Sequence, residues 1–444
     1  MTVNTQGCGP IGRNWIERDH RATSTSYARE YPLVVRDALG SEIYDMDGKR
    51  YLDLMAGVAV LNVGHRHPHV VARVREALDQ FWHICLTDFY YPQAVELAEK
   101  LQQIAPMAEK SRIYFSNSGT EAIESAIKLA MYHTGRRQFI GFRGAFHGRT
   151  LGALSFTSSK YVQRAGFHPA VPVHHLPFPN PYRPILELRN GEDVGQAVLR
   201  YLQETIFETT LHPEDVAAVV IEPIQGEGGY VIPPAGFLAG LRRICDQHGI
   251  LLVVDEVQSG IGRTGKMWAV EHEGVQPDIL CFAKGIASGM PLGGIIARDS
   301  VMSWKPGSHA STYGGNPVAC AAAIGTLEVV EREGLPEQAA ELGRHVLERL
   351  HEMQQRHPAI GDIRGRGLMI GVEFVRDRES RERDTLLRDT LKQVAFEEGL
   401  LLLPCGRSTM RLTPALTIGR TLLDEGLDLF EHALTKAERL IGRS

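Results

Sequence analysis

Two short runs, Gly249-Ile-Leu-Leu-Val-Val-Asp255-Glu-Val-Gln258 and Asp278-Ile-Leu-Cys-Phe-Ala-Lys284-Gly285, decide how this chain is read. Each is apolar and closes on charged or polar residues near a glycine, the pattern of a strand buried on both faces. An acid ends the first strand and a lysine ends the second. Ligands of open α/β sheets collect beyond the carboxyl ends of the strands. A lysine placed there, near a partly buried acid, points to Schiff-base chemistry on a cofactor whose ring nitrogen takes a carboxylate partner. Taken alone, the pair reads equally well as a strand-end acid and a solvated cation, so the flanking sequence has to decide.

Upstream, Val216 to Ile221 is another apolar run, closing on Glu222-Pro-Ile-Gln225-Gly226-Glu227-Gly-Gly, and Gly236 to His248 is helical by pattern. Phe139 to Phe142 leads into Gly144-Ala-Phe146-His147-Gly148-Arg149-Thr150. There an aromatic ring and a guanidinium three apart can stack on a ligand ring and grip a carboxylate, or simply pack and solvate. Arg112 to Ser116 precedes Asn117-Ser118-Gly119-Thr120-Glu121, after which Ala122, Ile123, Ala126, Ile127, Leu129 and Ala130 recur at helical spacing. Ser118 and Glu121 have capping-box spacing. A hydroxyl-rich turn opening a helix is an anion cup, since free N–H groups and the helix dipole both favour phosphate. The plainer alternative is an ordinary N-cap. Strand–helix–strand alternation from about 110 to 300 predicts a mainly parallel sheet covered by helices.

Toward the amino terminus, Glu42 to Leu54 reads as a hairpin turned at Asp47-Gly48. His65, His67 and His69 alternate, but Pro68 and the helical periodicity after it favour a loop and helix start over a metal site, and no metal is expected. Downstream, Gly260-Ile-Gly-Arg-Thr-Gly265-Lys266 has phosphate-loop spacing, yet Met267 stands where a hydroxyl should hold magnesium, and the stretch from Trp268 to Gly274 is too short for the required helix. Nucleotide binding there is the remote alternative. Asn316 to Gly334 reads as a helix leading out of the sheet. Beyond about 335 come a helix, a strand pair around Ile363 to Glu373, a further helix, strands near Leu401 to Pro414, and a last helix over Leu422 to Ile441. Three units are expected: an N-terminal segment, 1–60, contributing to a small domain; a large domain, 61–330; and a C-terminal α+β domain, 331–444.

With 444 residues the chain can bury a large core. A net charge of −5 gives no polyanion-binding signal, so no nucleic-acid partner is expected. No apolar run reaches membrane-spanning length, and the first residues carry no secretory pattern. The cysteines at 8, 85, 245, 281, 320 and 405 are scattered without a CxxC pair, as expected for reduced thiols in a cytoplasmic protein.

Together these residues resemble the class III pyridoxal-phosphate aminotransferases of fold type I, the group of the ornithine, acetylornithine and 4-aminobutyrate enzymes. The resemblance runs from about Tyr44 to the C-terminus. It is carried in order by Ser118-Gly-Thr, Phe146-His-Gly-Arg149, Glu222-Pro-Ile-Gln-Gly-Glu227, Asp255-Glu-Val-Gln258, Phe282-Ala-Lys284-Gly and Ser311-Thr312-Tyr-Gly-Gly-Asn-Pro.

The resemblance implies an α/β fold type I enzyme with pyridoxal phosphate as cofactor. Lys284 would carry the cofactor as a Schiff base and shuttle the proton between Cα and C4′. Asp255 would pair with the ring nitrogen, and Gln258 would lie near the phenolic oxygen. Phe146 and Val257 would take the two ring faces, with Glu222 also among the cofactor-contacting residues, and Ser118, Gly119 and Thr120 would hold the phosphate. Thr312 would reach the phosphate of a neighbouring subunit, implying a homodimer, or a dimer of dimers, with shared sites. Arg149 would grip a substrate carboxylate. Glu227 and Arg411 would form a gate in which the glutamate masks the arginine until a dicarboxylate needs it. Tyr31, Val58 and Tyr91 are candidates for an N-terminal substrate-contacting position. Leu86-Thr-Asp-Phe-Tyr-Tyr91 and Phe178-Pro-Asn-Pro-Tyr-Arg183 are similar to a subgroup that includes broad-specificity amino-acid racemases. The implied reaction is therefore transamination between an amino acid or ω-amino acid and a 2-oxo acid, with racemisation on the same scaffold as the alternative.

Overall fold

The computed structural model describes residues 8–443. A seven-stranded sheet lies at its centre, in the spatial order Ser111–Ser116, Gly293–Arg298, Ile279–Phe282, Leu251–Asp255, Val216–Ile221, Gln138–Phe142 and Val173–Leu176. The last five run parallel to one another. Gly293–Arg298 is antiparallel to both its neighbours. The reason is connection length: a parallel neighbour needs a crossover on the order of a dozen residues, and the link from Phe282 to Gly293 is shorter.

Every residue of Val216–Ile221, Leu251–Asp255 and Ile279–Phe282 is buried. That explains why these strands read as unbroken apolar runs rather than alternating ones. Helix Gly119–Thr134 turns Ala122, Ile123, Ala126, Ile127, Leu129 and Ala130 inward against the sheet, as its periodicity predicts. Helix Phe237–His248 ends at Gly249, whose φ of 60° closes the last turn before the strand that carries Asp255.

Two four-stranded sheets flank this core. In one, Glu42–Asp45 and Arg50–Asp53 form the expected hairpin, joined by Val35–Leu39 on one side and, in parallel, by Leu400–Leu401 on the other. The amino-terminal hairpin is thus sewn to a strand some 350 residues later in the chain. The other contains Ile360–Arg366, Met369–Phe374, Thr409–Leu412 and Leu403–Cys405, all antiparallel. Helix Pro10–Ala22 has no counterpart in the sequence reading, because its first-turn amides at Ile11 and Gly12 are held by the carboxylate of distant Asp47, at 3.1 and 3.0 Å.

His65, His67 and His69 separate toward three different acids, Asp53, Glu333 and Glu328. Pro68 opens helix Pro68–Gln80 directly after His67. All six cysteines are free. Among the described residues, no helix is long and apolar enough to cross a membrane.

Candidate active site

The carboxyl ends of Ser111–Ser116, Gln138–Phe142, Val216–Ile221, Leu251–Asp255 and Ile279–Phe282 open on one cavity of about 410 Å³. Lys284 reaches it from the link after Ile279–Phe282. Its backbone sits at φ 48°, the left-handed region that a residue with a side chain seldom adopts, and such strain concentrates at functional sites. Burial drives the Lys284 amine toward its neutral form, with the charge of Asp255 opposing.

Asp255 is fixed from two sides. One carboxylate oxygen meets His147 Nδ1 at 2.7 Å, and the other accepts the Val257 N–H at 2.9 Å. Burial lowers the basicity of His147, but the hydrogen bond and charge of Asp255, with that of Glu222, outweigh it and raise its pKa above the ordinary value. The other ring nitrogen of His147 is buried without a partner. Glu222 accepts N–H bonds from Phe146 at 2.9 Å and Gly226 at 2.6 Å, tying the Phe146 loop to the loop that carries Glu227. Burial pushes the Glu222 carboxyl up to about 7; Asp255 adds to the rise, while His147 and the two amides resist it.

Opposite lies the anion cup. Ser118 caps helix Gly119–Thr134, its hydroxyl accepting the Glu121 N–H at 3.4 Å. The Glu121 carboxylate reaches back past the cap to Asn117, so the capping box is displaced by one residue. The first-turn amides of a helix have no carbonyl four residues back, which leaves those at Ser118–Thr120 for a ligand. Gly119 is required there because a Cβ would stand 2.8 Å from a methyl of Val257.

Phe146, Val257 and Gln258 line the same cavity, and Gln258 Oε1 is buried without a partner. Arg149 lies exposed at its rim, its guanidinium 5.9 Å from the centre of the Phe146 ring. Glu227 lines the far side and is shared: Oε2 is 3.2 Å from Arg411 Nη2, and Oε1 is 2.7 Å from Lys160 Nζ. Arg411 is nearly inaccessible, and its Nε and Nη1 have no partner. Thr312 is exposed and outside the lining of this cavity. Tyr31, Val58 and Tyr91 do not line it either: the Tyr31 hydroxyl bonds to the Leu402 carbonyl and the Tyr91 hydroxyl to that of Gly315. Val60 takes the amino-terminal position on the wall, joined by Met290, Pro291 and Leu292. Residues 260–266 form a run of turns followed only by the 3₁₀ segment Ala269–Glu273, so the long helix of a phosphate loop is missing.

The site fits pyridoxal phosphate. It offers a buried lysine shifted toward its free-amine form, a carboxylate held in place for a ring nitrogen, an anion cup and an orphaned amide oxygen. Known proteins point the same way. Residues 24–434 match the class-III aminotransferase family, and the chain belongs to it. It is 40% identical to an alanine/serine racemase of Pyrococcus horikoshii, over 96% of this chain and 91% of the other. It is 39% identical to a probable 4-aminobutyrate aminotransferase of Bacillus subtilis, over 89% and 91%. Among solved structures, an amine transaminase from an uncultivated Pseudomonas species in its PLP-bound form superposes with a TM-score of 0.85 at 34% identity, covering 95% of this chain and 98% of that one. The protein is a fold type I, pyridoxal-phosphate-dependent aminotransferase acting on small amino and 2-oxo acids.

Proposed function

We propose that the enzyme moves an amino group from an amino acid or ω-amino acid, of the ornithine or 4-aminobutyrate kind, to a dicarboxylic 2-oxo acid such as 2-oxoglutarate. The carrying observation is the Glu227–Arg411 pair: a deeply buried guanidinium with one nitrogen facing a carboxylate and its other two nitrogens without a partner. A site that alternates between unlike substrates needs such a cation, covered for one and bared for the other.

The cofactor supplies an electron sink for the charge left when the substrate Cα–H bond breaks. Lys284 Nζ, which burial shifts toward its free-amine form, would take the proton from Cα and deliver it to C4′. Asp255, braced by His147 and Val257, would set its carboxylate on the ring nitrogen. Phe146 and Val257 would cover the ring faces, Gln258 would face the phenolic oxygen, Glu222 ties the Phe146 loop to the Glu227 loop, and Ser118, Gly119 and Thr120 would take the phosphate. Arg149 grips a substrate carboxylate at the rim.

Two such chains form a homodimer in which each Thr312 completes the other's phosphate site. Support comes from the apolar surface around Thr312, where Trp82, Phe89, Tyr90 and Tyr313 are all exposed. The three sheets support a division into residues 1–60, 61–330 and 331–444, with the first joined to the last through Leu400–Leu401. Six unpaired cysteines support a cytoplasmic setting.

The similarity to the alanine/serine racemase favours a second reading, in which the proton returns to the opposite face of Cα. One experiment separates the two: purified enzyme in heavy water with L-ornithine, L-leucine and 4-aminobutyrate, each with and without 2-oxoglutarate. Transamination predicts glutamate only when the keto acid is present, and no D-enantiomer. Deuterated D-amino acid accumulating without any keto acid would overturn it in favour of racemisation.

A further inference from the structure

We infer that Lys160 sets the balance of the Glu227–Arg411 gate and thereby the preference for dicarboxylate acceptors, an inference that rests on the gating role proposed above. The two oxygens of Glu227 go to different cations, Oε1 to Lys160 Nζ at 2.7 Å and Oε2 to Arg411 Nη2 at 3.2 Å. The cations sit in unlike surroundings: the side chain of Arg411 is 4% exposed, that of Glu227 16% and that of Lys160 44%.

Three separate segments bring them together. Arg411 is fixed on strand Thr409–Leu412, paired with Gly371 and Leu403 on either side. The Glu227 carbonyl accepts the Gly406 N–H at 2.8 Å, which ties its loop to the same sheet. Lys160 follows a turn pinned to the Phe146 loop: Ser158 N–H donates to the Ala145 carbonyl at 2.8 Å, and Gly144 N–H to the Ser158 hydroxyl at 3.0 Å. Lys160 therefore belongs to the cofactor side of the cleft and Arg411 to the small-sheet side, with the Glu227 carboxylate between them.

A masking carboxylate that leaves Arg411 needs somewhere to put its charge. Without Lys160, both Glu227 oxygens turn to the buried guanidinium, whose free Nη1 completes a two-point contact, and the gate stays shut. With Lys160 in place, one oxygen is already committed outward, so an incoming dicarboxylate displaces a single ion-pair contact. Lys160 touches neither cofactor nor acceptor in this scheme; it is a positioning residue acting through Glu227. Partly exposed pairs of this kind contribute little, so the effect on specificity is about three- to fivefold and is screened by salt.

The test measures kcat and KM for 2-oxoglutarate and for pyruvate in the holoenzyme, and reads the ratio of the two specificity constants. Lys160→Met is expected to lower the ratio through a higher KM for 2-oxoglutarate, Lys160→Arg to restore it, and high salt to bring the wild type toward Lys160→Met. In a Glu227→Gln background, Lys160→Met is expected to change nothing. Persistence of its effect there means that Lys160 binds the acceptor directly and overturns the inference. Arg411→Leu separates the gate from its tuning. If it abolishes the preference while Lys160→Met equals the wild type, the gate stands and the role of Lys160 falls. If Arg411→Leu keeps the preference, the gate and this inference fall together.

Discussion

Lys284 and Glu256 show burial acting on two ionisable groups with opposite consequences. For Lys284 it favours the free amine, the form that can attack a carbonyl carbon and accept a proton. A Lys284→Ala variant should keep the cofactor only noncovalently, lose the visible absorbance of the lysine-bound form and fall in kcat by about 10²–10⁴-fold. Spectra of the purified variant check the first part, and unchanged absorbance would remove Lys284 from the centre of the chemistry. Glu256 points away from that cavity into the core, where its carboxylate accepts the Val270 N–H at 2.9 Å and bonds to the Ser259 hydroxyl. Burial pushes its pKa up to about 7 against those hydrogen bonds. An acid whose folded pKa is raised binds more protons folded than unfolded, so stability falls as pH rises from the ordinary carboxyl value of 4.5 to about 7 and levels off beyond. Glu256→Gln removes that contribution. The melting temperature of the variant relative to the wild type should climb across this window, then stay constant. A difference that does not change with pH would mean Glu256 titrates as an ordinary carboxylate.

At the scale of the element, the site depends on where strands stop and helices start. Helix Gly119–Thr134 begins at the sheet's carboxyl edge because Ser118 caps it and Glu121 braces Asn117 behind the cap. Ser118→Ala should lower apoenzyme stability by about 0.5–2 kcal/mol, the usual contribution of such a cap. On the proposed reading, in which the same hydroxyl and turn take the phosphate, the variant should also weaken cofactor binding. Calorimetry of the apoenzyme and titration with pyridoxal phosphate test the two together. A stability loss with unchanged affinity would assign Ser118 to the fold alone.

The capped helix start at Ser118 was legible in the sequence, as were the strand-end positions of Asp255 and Lys284 and the buried strands, because each depends on neighbours within a few residues. So were the helix starts at Pro68 and Pro317. Contacts between distant segments were not legible. His147 stands beside Phe146 in a recognisable motif, but only the fold brings it to Asp255, 108 residues on. The capping of Ile11 and Gly12 by Asp47 and the capture of Glu227 by Lys160 are hidden for the same reason. The antiparallel strand Gly293–Arg298 was concealed by its composition, since an apolar run buried on both faces reads alike in either direction.

For the whole molecule, the question is what covers the surface around Thr312. Phe89 and Tyr90 stand exposed beside the start of helix Pro92–Gln103, and Trp82 and Tyr313 are exposed nearby. The two segments are locked to each other: the Tyr91 hydroxyl bonds to the Gly315 carbonyl, Asn316 Nδ2 to the Trp82 carbonyl at 3.2 Å, and the rings of His83 and Tyr313 lie 5.0 Å apart. Such a gathering of exposed aromatic side chains is what an association surface presents. Thr312 lies within it and outside its own chain's cavity, which is the placement needed for a residue that serves a neighbour's site across a two-fold axis. Hybrid dimers test this. Chains carrying Lys284→Ala and chains carrying Thr312→Asp should each be inactive or nearly so alone. In a mixed dimer, the site that keeps Lys284 receives an intact Thr312 from the other chain, while the second site collects both lesions. Activity should therefore reappear when the two variants are unfolded together and refolded, and should be absent when each is refolded separately. If Thr312 served its own chain, every site in the mixture would carry one lesion and no activity would return.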